Sequence, residues 1–303
     1  MTQGLVVMAY GTPSAPEHIE EYYTHIRRGR PPEPEQLAEL IGRYEAIGGI
    51  SPLAQRTRAQ LGAVAAALEE VDPGQWEVRL GQKHAAPFIE DGVAELAEAG
   101  VESIVGLVLA PHYSAFSVGQ YNSRAEAAAS AATIPYAGID SWHTEDEYLD
   151  FQAAALRRAL EPMPDNTQVL FTAHSLPERV LVDDPYPDQL HESAAETARR
   201  VGVPQWAGWG LGWQSAGRTP EPWRGPDILE IISDLADTGR SDGLLVVPQG
   251  FTSDHLEVLY DLDIEARAAA EAVGLAFART DVPNDDPAVM AALARRVRGA
   301  GPA

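Results

Sequence analysis

The chain has 303 residues, of which 45% are hydrophobic, enough for two medium-sized domains with apolar cores. Its 45 acidic and 22 basic residues give a formal net charge of −23, which opposes binding to nucleic acids and to anionic membrane surfaces. It has no cysteine, which excludes disulfides, cysteine-ligated zinc and iron–sulfur clusters and favours the reducing cytoplasm.

The first element is an apolar run in residues 1–13, MTQGLVVMAYGTP, which predicts a buried strand and has no features of a signal peptide. No apolar run in the chain reaches the roughly 18 residues that a membrane helix needs. We therefore expect a protein that is not inserted in a membrane.

Eight short apolar runs, separated by amphipathic stretches, predict strands alternating with helices. They are GLVVMAYG (4–11), WEVRLGQKH (76–84), SIVGLVLAPH (103–112), IPYAGID (134–140), QVLFTAHS (168–175), QWAGWGLGW (205–213), GLLVVPQG (243–250) and GLAFART (274–280). This alternation indicates an α/β protein with parallel sheets covered by helices on both faces. The strands form two sets of four, which predicts two similar doubly wound domains with a boundary near residue 142 and a cleft between them.

Ligands of doubly wound sheets bind at the carboxyl ends of the strands. At these ends the sequence places Tyr10 after the first strand, His84 after the second, His112 after the third and His174 after the fifth. A single histidine there is more often structural than a ligand. Four side chains that can bind a metal, all on one rim, favour a ligand-binding or metal-binding site.

A second group consists of Glu257, Asp261 and Glu265, which follow the strand that ends in GLLVVPQ. On an α-helix their spacing of four gives a slowly winding acidic stripe, which a wider π turn would straighten. The alternative is an ordinary solvated helix face. Because the stripe directly follows a core strand, we expect it to lie in the cleft.

Basic residues cluster in one segment of this acidic chain, at Arg27, Arg28 and Arg30. They suit the bidentate binding of carboxylates, although helix C-terminal charge explains one or two of them equally well. The loop at 42–54 places Ser51 before a helix, where backbone amides could meet an anion. The chain has no phosphate-binding glycine motif and no G-x-S-x-G nucleophile elbow around Ser175.

Eight segments that together span most of the chain resemble one enzyme family. They are MAYGTP (8–13), YYTHIRRGR (22–30), RYEAIGGISPLA (43–54), LAPHYSAFSVGQYN (109–122), TAHSLPERV (172–180), DPYPDQLHESA (184–194), GWQSAGRTPEPWRGPD (212–227) and DHLEVLYDLD (254–263). They are similar to ferrochelatases, most of all to the monomeric, soluble enzymes of Gram-positive bacteria that insert ferrous iron into coproporphyrin III. The segment 205–215 is a few residues longer than usual, which leaves the conformation of that loop open.

The resemblance implies two Rossmann-like domains, 1–142 and 143–303, with a porphyrin held between them. His174 and Glu257 would face each other across the porphyrin and handle the iron and the pyrrole protons. Tyr10 would be the axial ligand of iron in the product. The implied porphyrin contacts are Tyr10, Arg27, Arg43, Tyr44, Ser51 and Tyr121.

Asp261 and Glu265 match outer carboxylates at which a hydrated divalent ion, Mg²⁺ among the candidates, could wait. The resemblance implies Fe²⁺ and coproporphyrin III as substrates, no organic cofactor, a monomer, and at most transient contact with other haem-pathway enzymes. The alternatives are a protoporphyrin ferrochelatase, a cobalt or nickel chelatase for another tetrapyrrole, and a haem or porphyrin chaperone without turnover.

Overall fold

A computed structural model describes residues 2–204, 208–217 and 219–301. All eight predicted strands are present in it. They are β1 (Gln3–Ala9), β2 (Trp76–Gln82), β3 (Ser103–Val108), β4 (Tyr136–Ile139), β5 (Thr167–His174), β6 (Trp209–Gln214), β7 (Gly243–Val247) and β8 (Ala276–Arg279). Part of the predicted strand and loop at 205–215, namely 205–207, lies outside the described residues.

Helices connect these strands, as the amphipathic stretches predict. They are α1 (Ile19–Ile26), α2 (Pro34–Ala46), α3 (Leu53–Val71), α4 (Ile89–Glu98), α5 (Val118–Ala131), α6 (Asp146–Leu160), α7 (Tyr186–Val201), α8 (Ile228–Thr238), α9 (Leu256–Leu259), α10 (Arg267–Ala272) and α11 (Pro287–Gly299). A π-helical segment, Asp261–Ala266, joins the end of α9 to α10. In the described part of the chain, no helix combines the length and apolarity needed to cross a membrane.

The strands form two parallel four-stranded sheets of the same topology, with orders β2-β1-β3-β4 and β6-β5-β7-β8. In each sheet the second strand lies on one side of the first and the third strand lies on the other, so the chain crosses over the first strand between them. The crevice beside that first strand is where such sheets bind ligands. Tyr10 directly follows β1, and His174 ends β5, so the two occupy equivalent positions in the two halves.

The final helix lies against the first sheet. Val289, Leu293 and Val297 of α11 share a buried apolar cluster with Leu5 and Val7 of β1, and that cluster also contains residues of α3 and α6. The second half of the chain therefore supplies part of the core under the first sheet. The division at residue 142 follows the two sheets but not this helix, and it stays a prediction.

Candidate active site

A cavity of about 810 Å³ lies at the carboxyl ends of both sheets. The four strand-end residues that the sequence singles out, Tyr10, His84, His112 and His174, all line it. Because the parallel strands of each sheet end at the same edge, side chains far apart in sequence meet at this rim. The cavity lies where the sequence analysis expects the cleft.

His174 and Glu257 meet at the second-sheet wall of this cleft. The ring of His174 contacts the Ser175 carbonyl oxygen through Nδ1. A carbonyl oxygen only accepts, so Nδ1 carries a proton and Nε2 is free to take one when the ring is neutral. This Nε2 lies 3.7 Å from Oε1 of Glu257.

That distance corrects one expectation. A flat ring placed between two atoms needs roughly 7 Å, twice the optimal contact distance of about 3.5 Å. A porphyrin therefore cannot lie between His174 and Glu257 as they stand, 3.7 Å apart. The two residues lie together on one side of the cleft, so the expected arrangement across the ligand is not the one that the structure has.

Glu257 has a second histidine neighbour, His255, which the sequence analysis did not identify. Nδ1 of His255 donates to the Ser253 carbonyl at 2.9 Å, and its Nε2 lies 3.5 Å from the other oxygen of Glu257. Burial raises the pKa of Glu257, but His174 and His255 outweigh it and bring the pKa to about 2. Glu257 is thus a carboxylate at neutral pH.

The loop that leads into α9, the helix of Glu257, is hydrogen-bonded to the first half of the molecule. Gln60 of α3 donates to the Thr252 carbonyl at 3.1 Å and accepts from the Ser253 hydroxyl at 2.9 Å. The Thr252 hydroxyl donates to the Leu109 carbonyl at 2.8 Å. Since Gln60 is fully buried, these bonds hold the loop without competition from water.

The acidic stripe continues from α9 into the π-helical segment. The amide of Glu265 donates to the Tyr260 carbonyl five residues back at 2.9 Å, the hydrogen bond of a π turn. Asp261 is buried and bonded to Arg43 and Ser215, whereas Glu265 is exposed. Burial raises the pKa of Asp261 to about 6, Glu257 and Glu265 add to this, and Arg43 opposes it.

Tyr10, Tyr44, Ser51 and Tyr121 also line the cleft. The Tyr10 ring packs 4.7 Å from His84, centroid to centroid. Shielding from bulk water and the charge of Glu257 raise the pKa of the Tyr10 phenol. The Ser51 hydroxyl oxygen accepts a hydrogen bond from the amide of Leu53, the first residue of α3, at 3.2 Å. The hydroxyl proton is therefore available to donate a hydrogen bond to a ligand.

Two predicted porphyrin contacts, Arg27 and Arg43, do not line the cleft. Arg27 donates to the Arg30 carbonyl at 3.3 Å, and its guanidinium lies 5.6 Å from the ring of Tyr23. Arg43 forms the ion pair with Asp261. Neither guanidinium contributes to the lining of the cavity.

Two other cations, Arg28 and Lys83, do line it. The sequence carried a signal for the second, because Lys83 is the only lysine in the chain and immediately precedes His84 at a strand end. The sequence alone could not show that Arg28, and not Arg27, lines the cleft. The Arg28 backbone adopts a φ of 58° just after α1, which turns it away from its neighbour.

Comparisons with known proteins identify the family of this chain. A family model described as ferrochelatase matches residues 2–300. The protein named coproporphyrin III ferrochelatase of Bacillus subtilis (strain 168) is 46% identical over 298 residues, which is 96% of this chain and 95% of that protein. The protein of the same name from Geobacillus kaustophilus (strain HTA426) is 45% identical over 300 residues, covering 97% and 94%.

Solved structures of low sequence similarity share the fold. SirB from Bacillus subtilis with Fe³⁺ superposes with a TM-score of 0.58 at 13% identity, covering 99% of this chain and 96% of that one. CbiX, the terminal enzyme for biosynthesis of siroheme in denitrifying bacteria, gives a TM-score of 0.54 at 16% identity over 99% of both chains. The two-sheet α/β architecture predicted from the sequence is thereby confirmed.

Proposed function

The chain belongs to the ferrochelatase family, and from that premise we propose that it inserts Fe²⁺ into coproporphyrin III, releasing two protons. The observation that carries this proposal is the pair formed by a base, Nε2 of His174, and an ionised carboxylate, Glu257, at 3.7 Å on one wall of the cleft. Removal of pyrrole protons needs a base that works near neutral pH, and imidazole is such a base. An adjacent carboxylate attracts the hard Fe²⁺ cation.

The porphyrin lies between the wall of the first sheet and that of the second. His174 and Glu257 act on the face towards the second sheet, and Tyr10 meets the opposite face from the end of β1. His174 takes the pyrrole protons at Nε2, since its Nδ1 is bound to the Ser175 carbonyl. The phenol oxygen of Tyr10 is the expected axial ligand of iron in the product.

The acidic stripe supplies the path for iron. Exposed Glu265 attracts the hydrated ion, Asp261 receives it, and Glu257 passes it to the ring, each step exchanging water for carboxylate oxygen. Each oxygen of Asp261 accepts one hydrogen bond, from Arg43 and from Ser215, and keeps a second lone pair for a cation. We expect the same outer carboxylates to be the place where a hydrated Mg²⁺ would bind.

Coproporphyrin is favoured over protoporphyrin by the names of the relatives and by the cations in the cleft, which suit a ring with four carboxylates. We expect Tyr44, Ser51 and Tyr121 to contact the macrocycle, with Arg27 and Arg43 turning to its propionates on binding. We also expect a monomer in the cytoplasm, in at most transient contact with other enzymes of haem synthesis.

Anaerobic turnover tests this function. The protein is mixed with Fe²⁺ and either coproporphyrin III or protoporphyrin IX, and the visible spectrum follows metallation. We expect kcat/KM to be at least about tenfold higher for coproporphyrin, a difference of about 1.4 kcal/mol. Faster metallation of protoporphyrin would show a different ferrochelatase, and binding of either ring without metallation would show a chaperone.

A further inference from the structure

The only lysine of the chain lies in the active-site cleft. Lys83 follows β2, where its amide donates to the Ala9 carbonyl at 2.9 Å and its carbonyl accepts from Arg124 at 3.0 Å. Its ammonium group lies 5.0 Å from the centre of the Tyr121 ring. These hydrogen bonds hold the backbone of Lys83 and so fix the point from which its side chain extends into the cleft.

Lys83 has no carboxylate partner among residues 2–204, 208–217 and 219–301. Burial lowers the pKa of Lys83, and the positive charges of Arg124 and Arg28 lower it further, to about 8. Arg124 is neutralised by Glu90, through two hydrogen bonds of 2.8 and 2.6 Å. Arg28, which also lines the cleft, forms no ion pair with the described residues either.

This uncompensated charge is unusual in a chain with 45 acidic residues. Most arginines in the described part of the chain have a carboxylate within 4 Å, among them Arg200, which has three. A partly buried ammonium without a counter-ion is unfavourable, and an incoming anion relieves that cost. Lys83 is such a group, and the exposed Arg28, which is unpaired among the described residues, lines the same cavity, so the two indicate a binding subsite for an anion.

We propose that Lys83, with Arg28, binds a carboxylate of the substrate and thereby selects tetrapyrroles that carry one at this edge of the cleft. This inference rests on the proposed function, because it takes the ligand to be a porphyrin. Lysine suits the position because its flexible stem can lie along the Tyr121 ring while the ammonium reaches the ligand.

Equilibrium binding without iron tests the subsite. Porphyrin affinity is measured for the wild type and for Lys83→Met, which keeps the length of the side chain. We expect the affinity for coproporphyrin III to fall about tenfold, and the affinity for its uncharged tetramethyl ester to stay unchanged. Arg28→Met should behave similarly, and Lys83→Arg should restore most of the affinity.

The control variant is Arg58→Met, which makes the same change in net charge at an exposed position of α3 outside the cleft. It should leave both affinities unaltered. The proposal is overturned if Lys83→Met binds coproporphyrin like the wild type. It is also overturned if the variant loses as much affinity for the ester, because the lysine would then shape the pocket without binding a carboxylate.

A second readout is independent of variants and of turnover. An amine-reactive reagent can label only Lys83 and the N-terminal amine, so mass spectrometry reports the lysine against an internal reference. Saturating coproporphyrin III should slow labelling of Lys83 about tenfold or more, whereas equal rates with and without the porphyrin would overturn the proposal. A protected lysine in a protein that fails to metallate would instead refute the proposed function and support the subsite.

Discussion

The histidines beside Glu257 share one arrangement: each Nδ1 contacts a backbone carbonyl, so each presents Nε2 to the carboxylate. They differ in access. The side chain of His174 is 36% exposed and that of His255 is 17% exposed. Both histidines line the cleft, but His174 is the more accessible, which supports its proposed role as the base, and His255 helps to hold Glu257 ionised.

His174→Ala should lower the rate of metallation by about 10²- to 10⁴-fold, the usual contribution of a general base. The affinity for coproporphyrin should change less than about threefold, because His174 acts on protons and does not hold the propionates. Stopped-flow absorbance measures the rate and fluorescence quenching the affinity. The control is His191→Ala, an exposed histidine on α7 outside the cleft. Turnover near that of the wild type would remove His174 from the chemistry.

Lys83 gives a pH-dependent prediction at the same scale. Burial and the nearby Arg124 and Arg28 lower its pKa to about 8, so its reactivity towards an amine reagent should be half-maximal near pH 8. An exposed lysine would titrate near pH 10.4. Bound coproporphyrin should raise the midpoint, because a carboxylate favours the ammonium form. A midpoint above pH 10 in the free protein would show that the side chain leaves the cleft.

At the scale of elements, the acidic stripe could be predicted from its spacing, but the contacts that hold it could not. Arg279 of β8 donates two bonds of 2.8 Å to Asp263 in the π-helical segment. It also reaches Asp254, just before α9, at 3.3 Å. One guanidinium therefore binds both sides of the segment that carries Glu257 and Asp261, in an arrangement that depends on tertiary contacts.

Arg279→Met should destabilise the fold by roughly 1.5–3 kcal/mol, the range for hydrogen bonds to charged groups. It should also raise KM for Fe²⁺ more than KM for the porphyrin, since Arg279 holds the segment that carries the residues proposed for the iron path. Chemical denaturation and initial rates measure the two effects. Arg267→Met is the control. The guanidinium of Arg267 comes no nearer than 4.0 Å to the Asp263 carboxylate, so its loss should lower the free energy of unfolding by less. Equal effects of the two variants would contradict the account of Arg279.

At the scale of the whole molecule, the eight strands and their two sets followed from the sequence, because apolar runs and strand ends are local patterns. Contacts between distant segments did not follow. The ion pair of Arg43 and Asp261 joins residues 218 positions apart, and α11 returns to the first sheet. The arrangement of His174 and Glu257 on one wall likewise depends on how the end of β5 and helix α9 are placed relative to each other, so the expectation of a facing pair was wrong.

Gln60 connects the two halves at the cleft, and its replacement tests that connection. Gln60→Met keeps the length of the side chain but leaves the carbonyls of Thr252 and Asn284 without their buried donor. We expect a loss of roughly 1–3 kcal/mol in the free energy of unfolding. Because the bound loop leads directly into α9, which carries Glu257, we also expect kcat to fall. Gln55→Met, at an exposed position of the same helix, should change neither quantity. Unaltered stability in Gln60→Met would show that the halves are joined elsewhere.

In the proposed reaction, this cleft exchanges two pyrrole protons for one iron ion. The most direct test is proton release, measured with a pH-indicator dye in weakly buffered, anaerobic solution while the visible spectrum follows the porphyrin. The account predicts two protons for each iron coproporphyrin formed, appearing at the rate of the spectral change and lost in His174→Ala. A spectral change without proton release would contradict it, because the protein would then bind the porphyrin without metallating it.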